Sequence, residues 1–318
     1  MILIHKVLPT TVVGSYPVVK STSIRSLMDP LKSAVETAVA DQLSAGIDII
    51  SDGQVRGDMI NAFASRLPGV RGQQVVGKVL PPDRPITVPD TKYALSKHPW
   101  VKGILTGPST LAHGLQIATP MYRDRADLIL DLAQALAYEA KALQDAGVTL
   151  IQIDEPIFST GAADLNTGAQ ALQILTSLLQ KPVVLHVCGA LVGVIDEILK
   201  MRVAGFDFEF ANNEVNLQVL SGKDLGGRFL GFGCVDSADP AVEKVSVIKK
   251  RILSGVEAFG PDQLLIDPDC GLRMLPREAA FQKLKAMVDA TREARVEFTA
   301  ATPRDSSWNR DMSRKSSL

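Results

Sequence analysis

The sequence predicts an α/β fold, a single (β/α)8 TIM-type barrel, on three observations. Eight short apolar, β-branched runs alternate with helical patterns along about 300 residues. Glycine, often beside proline, marks many of the junctions between them. The glycine-rich turns of nucleotide-binding open sheets are missing. There is no G-x-G-x-x-G, and the nearest approach to a phosphate loop, Gly72 to Gly77-Lys78, continues into Val79. A doubly wound open sheet is the competing architecture, and that absence disfavours it.

The totals narrow the function classes. A chain of 318 residues fits one barrel with its connections. A formal net charge of −1 leaves no electrostatic footprint for nucleic acid. Three cysteines, Cys188, Cys234 and Cys270, do not suggest a disulfide scaffold, and a reducing cytoplasm is expected. The first six residues lack a signal-peptide pattern, and no apolar run reaches the ~18 residues of a membrane span.

In chain order, Thr10 to Ser15 reads as a first strand, and Ser23 to Ala45 as a helical pattern interrupted by Pro30 and stopped by Gly46. Ile47 to Ser51 is a second strand, running into Asp52-Gly53-Gln54, and Gly57 to Arg66 a short helix. Residues 68–90 break the rhythm. Val75 to Val79 and Ile86 to Val88, around Pro81-Pro82-Asp83, predict a β-hairpin insertion after strand two. The third strand is Val101 to Leu105. A long helix fits Arg125 to Ala146, with Gly147 as its stop, and Thr149 to Ile153 is the fourth strand. A helix near Ala169 to Gln180 follows, then a fifth strand at Val183 to Val187 and a helix from Ala190 to Met201. Phe206 to Phe210 and Phe229 to Val235 are the sixth and seventh strands. A helix from Ala241 to Phe259, an eighth strand from Leu264 to Asp267 and a helix from Arg277 to Val296 complete the series. The domain is thus expected over residues 1–297, with a polar, flexible tail over 298–318.

Barrel active sites lie at the C-terminal ends of the strands. That rule gathers Ser15, Asp52, Gln54, Asp154, Glu155, His186, Cys188, Glu209, Asp236 and Cys270 at one mouth. His186 and Cys188 are two apart in a strand, so both face the same side. For that pair alone, a packed core histidine beside a small buried cysteine explains the residues equally well. Glu209, among Phe206, Phe208 and Phe210, either turns outward to water or needs a partner or a metal. With Cys270 the set becomes two thiols, an imidazole and a carboxylate, the donor chemistry of zinc. Cys234 reads as a small buried hydrophobe, and His5, His98 and His113 as surface or packing histidines.

Five motifs in this order resemble the catalytic barrel of the cobalamin-independent methionine synthase family. They are Val13-Gly14-Ser15-Tyr16-Pro17, Thr106-Gly107-Pro108, Ile151-Gln152-Ile153-Asp154-Glu155-Pro156, His186-Val187-Cys188-Gly189 and Pro268-Asp269-Cys270-Gly271-Leu272, and the likeness spans residues 10 to 297. The resemblance implies zinc ligands at His186, Cys188, Glu209 and Cys270. It implies homocysteine contacts at Gly14 and Ser15, at Asp154 for the amino group, and at Gln54. Three departures accompany it. Gln54 stands where the family usually has glutamate. A family histidine that shuttles protons falls near Ala238. The N-terminal half that helps bind a polyglutamylated folate is absent.

The resemblance is therefore to a short core branch. Such a branch takes its methyl group from a methylated corrinoid, such as methylcobalamin, free or on a carrier protein. The implied reaction is methyl transfer to the homocysteine thiol, giving methionine. Zinc would keep the sulfur as a thiolate, with Glu209 the ligand that gives way and Asp154 selecting an amino-acid thiol. The competing expectations are a zinc methyltransferase for another small thiol such as coenzyme M, and a non-catalytic zinc- or corrinoid-binding barrel. A decarboxylase on a similar barrel would have no use for the metal.

Overall fold

A computed structural model describes residues 4–19 and 29–301. The start of the helical pattern at Ser23 and the tail beyond residue 301 lie outside the described residues. Six strands form one parallel sheet in the order β3 (Lys102–Thr106), β5 (Leu150–Asp154), β6 (Val183–Val187), β7 (Gly205–Glu209), β8 (Phe229–Val235) and β9 (Leu264–Pro268). The two predicted strands nearest the N-terminus complete the ring through isolated parallel bridges only. Thr10 pairs with Ile266, Thr11 with Ile49, and Ile50 with Val101. The barrel thus closes with eight strand positions, and no edge is left unpaired.

Helices cover the outside. They include α1 (Lys32–Ala45), α2 (Asn61–Ala64), α5 (Arg125–Ala146), α6 (Leu165–Thr176), α9 (Val245–Phe259) and α10 (Arg277–Ala301). Local chemistry sets their ends. The Asp124 carboxylate accepts from Asp127 N to start α5, and Gly147, at φ 98°, ends it; Asp164 likewise caps α6. The last helix runs to Ala301, past the expected boundary at residue 297. No described helix is long and apolar enough to cross a membrane.

Two sequence expectations are corrected. The helix expected over Ala190 to Met201 is only α7 (Ile195–Ile198). Gly189 and Gly193 adopt φ 99° and 81°, and Leu191 N is drawn to Asn216 Oδ1, so this stretch cannot wind. The insertion does contain a hairpin, but it pairs β1 (Val70–Arg71) with β2 (Gln74–Val75) around Gly72, and β4 (Gln116–Ile117) adds a third, parallel strand. Ile86 N and Thr87 N instead donate to the buried carboxylate of Glu139, and α3 (Val88–Lys97) begins there.

Alternation along the strands stacks the barrel interior in layers. Ile49, Leu150, Val184, Phe229 and Leu265, with Ile4, form an apolar floor near the N-terminal ends. Two residues further along the same inward faces, Gln152, His186 and Asp267 bring polar side chains, and Gly231 leaves room beside them. Two more bring Asp154, Cys188 and the mouth.

Candidate active site

Asp154, His186 and Asp207 are register neighbours on β5, β6 and β7. His186 Nδ1 lies 3.1 Å from Asp207 Oδ1, an ion-pair contact without the alignment of a hydrogen bond. Lys102 Nζ stands 4.0 Å from the other Asp207 oxygen and donates to Gln152 Oε1 at 2.5 Å. Gln152 Nε2 in turn donates to Asp154 Oδ1 at 2.7 Å and to Val13 O at 2.8 Å. Burial opposes the charge on Asp207, yet His186 and Lys102 hold its pKa below the ordinary value. Asp267, wholly buried beside it, has its pKa pushed well up by burial and by the Asp207 charge. Gly231 makes this possible, because a Cβ there would sit 2.6 Å from Asp207 Cγ.

Above this layer the ligand atoms of His186, Cys188 and Cys270 lie within 4.8 Å of one another. Nε2 of the buried His186 has no hydrogen-bond partner among the described residues. A buried ring nitrogen left unpaired beside two sulfurs fits a cation, since an unsatisfied polar group there is otherwise costly. The Cys188 side chain beside it lowers the Cys270 pKa to about 4, and Cys270 in turn, with burial, pushes Cys188 up. Desolvation works against the imidazolium, but Asp207 and then the cysteines raise the His186 pKa well above its usual value.

Glu209 is not part of that trio. It ends β7, and its Oε1 accepts from Asn213 Nδ2. Burial raises its pKa, and the Cys270 charge adds to the rise. The backbone around it is firmly held. Asp269 accepts from the amides of Phe210, Ala211 and Asn212 at 3.0, 2.9 and 2.6 Å.

Ser15, Asp52, Gln54 and Asp154 open with the three metal-type donors into one cleft of ≈ 370 Å³. Burial lifts Asp154 to about 6 and Asp52 to about 6. Gln54 has φ 44°, a strained backbone for a residue with a Cβ, held by its own amide on Asp52 and by Arg273 Nη1 on its carbonyl. Gly14 and Gly271 permit close approach: a Cβ would lie 2.8 Å from Gln54 Oε1 in one case and 2.0 Å from Ser15 Oγ in the other.

Four strand-end residues do not line the cleft: Glu209, described above, and Glu155, Asp236 and Cys234. Glu155 is buried and accepts from Ser109 N and Thr110 N, capping α4 (Pro108–Gly114). Gly107 has no room for a Cβ beside that carboxyl, which accounts for the Thr106-Gly107-Pro108 motif. Asp236 caps its own turn at Ala238. Cys234 is fully buried, as its sequence context suggested, and His98 and His113 bond to backbone carbonyls.

Sequence reasoning missed Lys102, Gln152, Asp207, Asp267, Asp269 and Arg273. A signal was present for most of them. Asp207 shares the parity of Glu209, Gln152 that of Asp154, and Asp267 and Asp269 alternate on one face, so an inward Glu209 implies an inward Asp207.

The catalytic-domain model of the cobalamin-independent synthase family matches residues 8–293. A methionine synthase of Methanothermobacter marburgensis is 45% identical over 308 residues, covering 89% of this chain and 99% of its own. One from Methanocaldococcus jannaschii is 42% identical over 312 residues, covering 90% and 99%. Among solved structures, a B12-independent methionine synthase from Shewanella sp. W3-18-1, in complex with selenomethionine, superposes with TM-score 0.83. Its identity is 24%, over 93% of this chain and 100% of that one. A methyltransferase from Methanosarcina mazei gives 0.64 at 19% identity, over 91% and 94%. These two likenesses show the fold.

Proposed function

The chain belongs to the cobalamin-independent methionine synthase family, and from that premise we propose that this methyltransferase acts on the thiol of homocysteine, with zinc as its metal and a methylated corrinoid as donor. The observation that carries the reading is the meeting, in one cleft, of a metal-type trio with an acid suited to an amino group. His186, Cys188 and Cys270 form the trio and Asp154 is the acid; Glu209, outside both the trio and the cleft lining, is taken as the fourth ligand from the family resemblance and its place at the end of β7. Bound there, zinc would supply a thiolate at neutral pH, which a free thiol with its ordinary pKa cannot.

The remaining work belongs to this chain's residues. Asp207 fixes the His186 ring so that Nε2 faces the sulfurs, and Lys102 keeps Asp207 charged. Asp154, oriented by the Gln152 amide, takes the substrate ammonium; that positive charge offsets the burial that raises the acid's pKa. Ser15, against Gly271, is placed for the substrate carboxylate. Gln54 contributes an amide from a strained, braced backbone. Together they orient the sulfur toward the methyl carbon. Asp154 also favours homocysteine over coenzyme M, which has no amino group to meet it.

Support for the donor is twofold. The archaeal relatives are of one barrel's length: the matched stretch covers 99% of the Methanothermobacter marburgensis methionine synthase and 89% of this chain. A methyl group brought in on a corrinoid is a co-substrate, compatible with a family that holds no cobalamin of its own. The test is purified zinc-loaded protein with homocysteine, given methylcobalamin or methyltetrahydrofolate triglutamate. Methionine is expected with the corrinoid alone. Turnover on the folate alone overturns the donor, and no methionine from either donor overturns the reaction.

A further inference from the structure

We infer that Asn213 is the positioning residue that holds the Glu209 carboxylate aside when the substrate sulfur takes its place beside His186, Cys188 and Cys270. This rests on the proposed zinc and thiol reading and deepens it, by saying how room for the substrate is made. Two observations converge. The Glu209 carboxylate accepts from Asn213 Nδ2, and the other three donors gather within 4.8 Å without it. The main chain on either side of that carboxylate is pinned. Asp269 takes three successive amides, at Phe210, Ala211 and Asn212. The buried Asn216 donates to Glu209 O at 2.9 Å and to Gly189 O at 3.0 Å, and it accepts from Leu191 N at 2.9 Å.

Glu209 therefore changes partner by rotating its side chain, while β7 and the turn after Cys188 stay in register. Asn213, four residues along, is the side chain whose amide already donates to that carboxylate. A neutral amide suits the task. Its hydrogen bond to a carboxylate is charge-assisted and worth forming. It carries no full charge, so it does not outcompete a divalent cation while the substrate is away; an arginine or lysine there would. The exchange also balances in charge. The thiol enters as a thiolate, its proton leaving to solvent, and one carboxylate moves away, so the donors keep the same total.

The experiment uses full-length zinc-loaded protein: wild type, Asn213→Ala, Asn213→Gln and Glu209→Ala. Zinc affinity without thiol is measured by chelator competition, homocysteine affinity by calorimetry, and oxygen against sulfur neighbours by zinc-edge X-ray absorption. Asn213→Ala is expected to weaken homocysteine binding roughly tenfold and to leave thiol-free zinc affinity undiminished. Its oxygen neighbour should persist at homocysteine concentrations that remove it in the wild type. Asn213→Gln, which keeps the amide, should recover part of the loss. Equal loss of zinc and homocysteine affinity in Asn213→Ala would mean that Asn213 only supports the fold, and unchanged homocysteine affinity would equally overturn the inference. Glu209→Ala separates the two levels. If it leaves thiol-free zinc affinity and neighbours unaltered, Glu209 is no ligand and the underlying reading fails too. If it weakens zinc while Asn213→Ala changes nothing, only the role of Asn213 is lost.

Discussion

Two buried aspartates, one outside the barrel near the N-terminal ends of its strands and one inside it nearer the mouth, have opposite fates. Asp48, at the start of the second strand, is saturated. Thr10 N and Thr10 Oγ1 donate to Oδ2 at 2.9 and 3.1 Å, Arg295 Nη2 reaches the same oxygen at 3.2 Å, and Lys6 pairs with Oδ1. Burial raises its pKa, but these donors outweigh burial and the net shift is downward. Asp267, nearer the mouth, has no hydrogen-bond donor on either oxygen among the described residues, and burial and Asp207 push its pKa well up. One carboxylate rivets the N-terminal segment, the second strand and the last helix together. The other belongs to a layer in which polar groups are left short of partners, among the described residues, beneath the cluster of metal-type donors. In a barrel, stability is concentrated at the floor and chemistry at the mouth, and satisfied against unsatisfied polar groups distinguish the two here.

The largest test of that contrast removes a donor at the mouth. Cys188→Ser and Cys270→Ser are each expected to lose bound zinc and to lower methyl transfer by more than about a hundredfold, with cooperative melting retained. Zinc retained in both, measured by metal analysis, would sink the assignment. At the floor, Asp48→Ala should do the reverse. It leaves two cations short of a buried partner and should lower unfolding free energy by about 3 kcal/mol in urea, with zinc content unchanged. A smaller effect is expected at the cleft wall. Asp154→Asn should raise the KM for homocysteine about tenfold and leave zinc bound; unchanged homocysteine kinetics would remove Asp154 from substrate binding.

The subtlest test is the pH dependence of metal-free stability. The folded pKa of Asp48 is lowered, so its contribution is full above the unfolded value of about 3.9 and is lost as pH falls through the folded value. The folded pKa of Asp267 is raised. Its neutral form is favoured in the fold, and stability declines as pH climbs from that unfolded value toward the folded one. Asp267→Asn should therefore flatten the alkaline side of the stability profile, and Asp48→Asn the acid side. Identical profiles in the two variants would erase the contrast.

The alternation of strand and helix was legible because it depends on neighbours in sequence. Arg125–Ala146 and Phe229–Val235 carry their own apolar periodicity, and Gly46 and Gly147 their own left-handed stops. His186, Cys188 and Cys270 were legible as donors at strand ends, and the barrel rule was enough to bring them together. Tertiary structure alone decided how the ring closes, because the segments around Thr10 and Ile49 form single bridges, and the one that closes the ring joins Thr10 to the distant Ile266. It decided where the hairpin turns, because Glu139 of a distant helix claims the amides of Ile86 and Thr87. It decided that Glu155 caps a helix and that Asp207, Asp267 and Lys102 share one buried layer. A side chain's type states what it can donate, accept or ionise; which partner it meets, and whether burial permits its charge, depends on chains that only folding brings within a few ångströms.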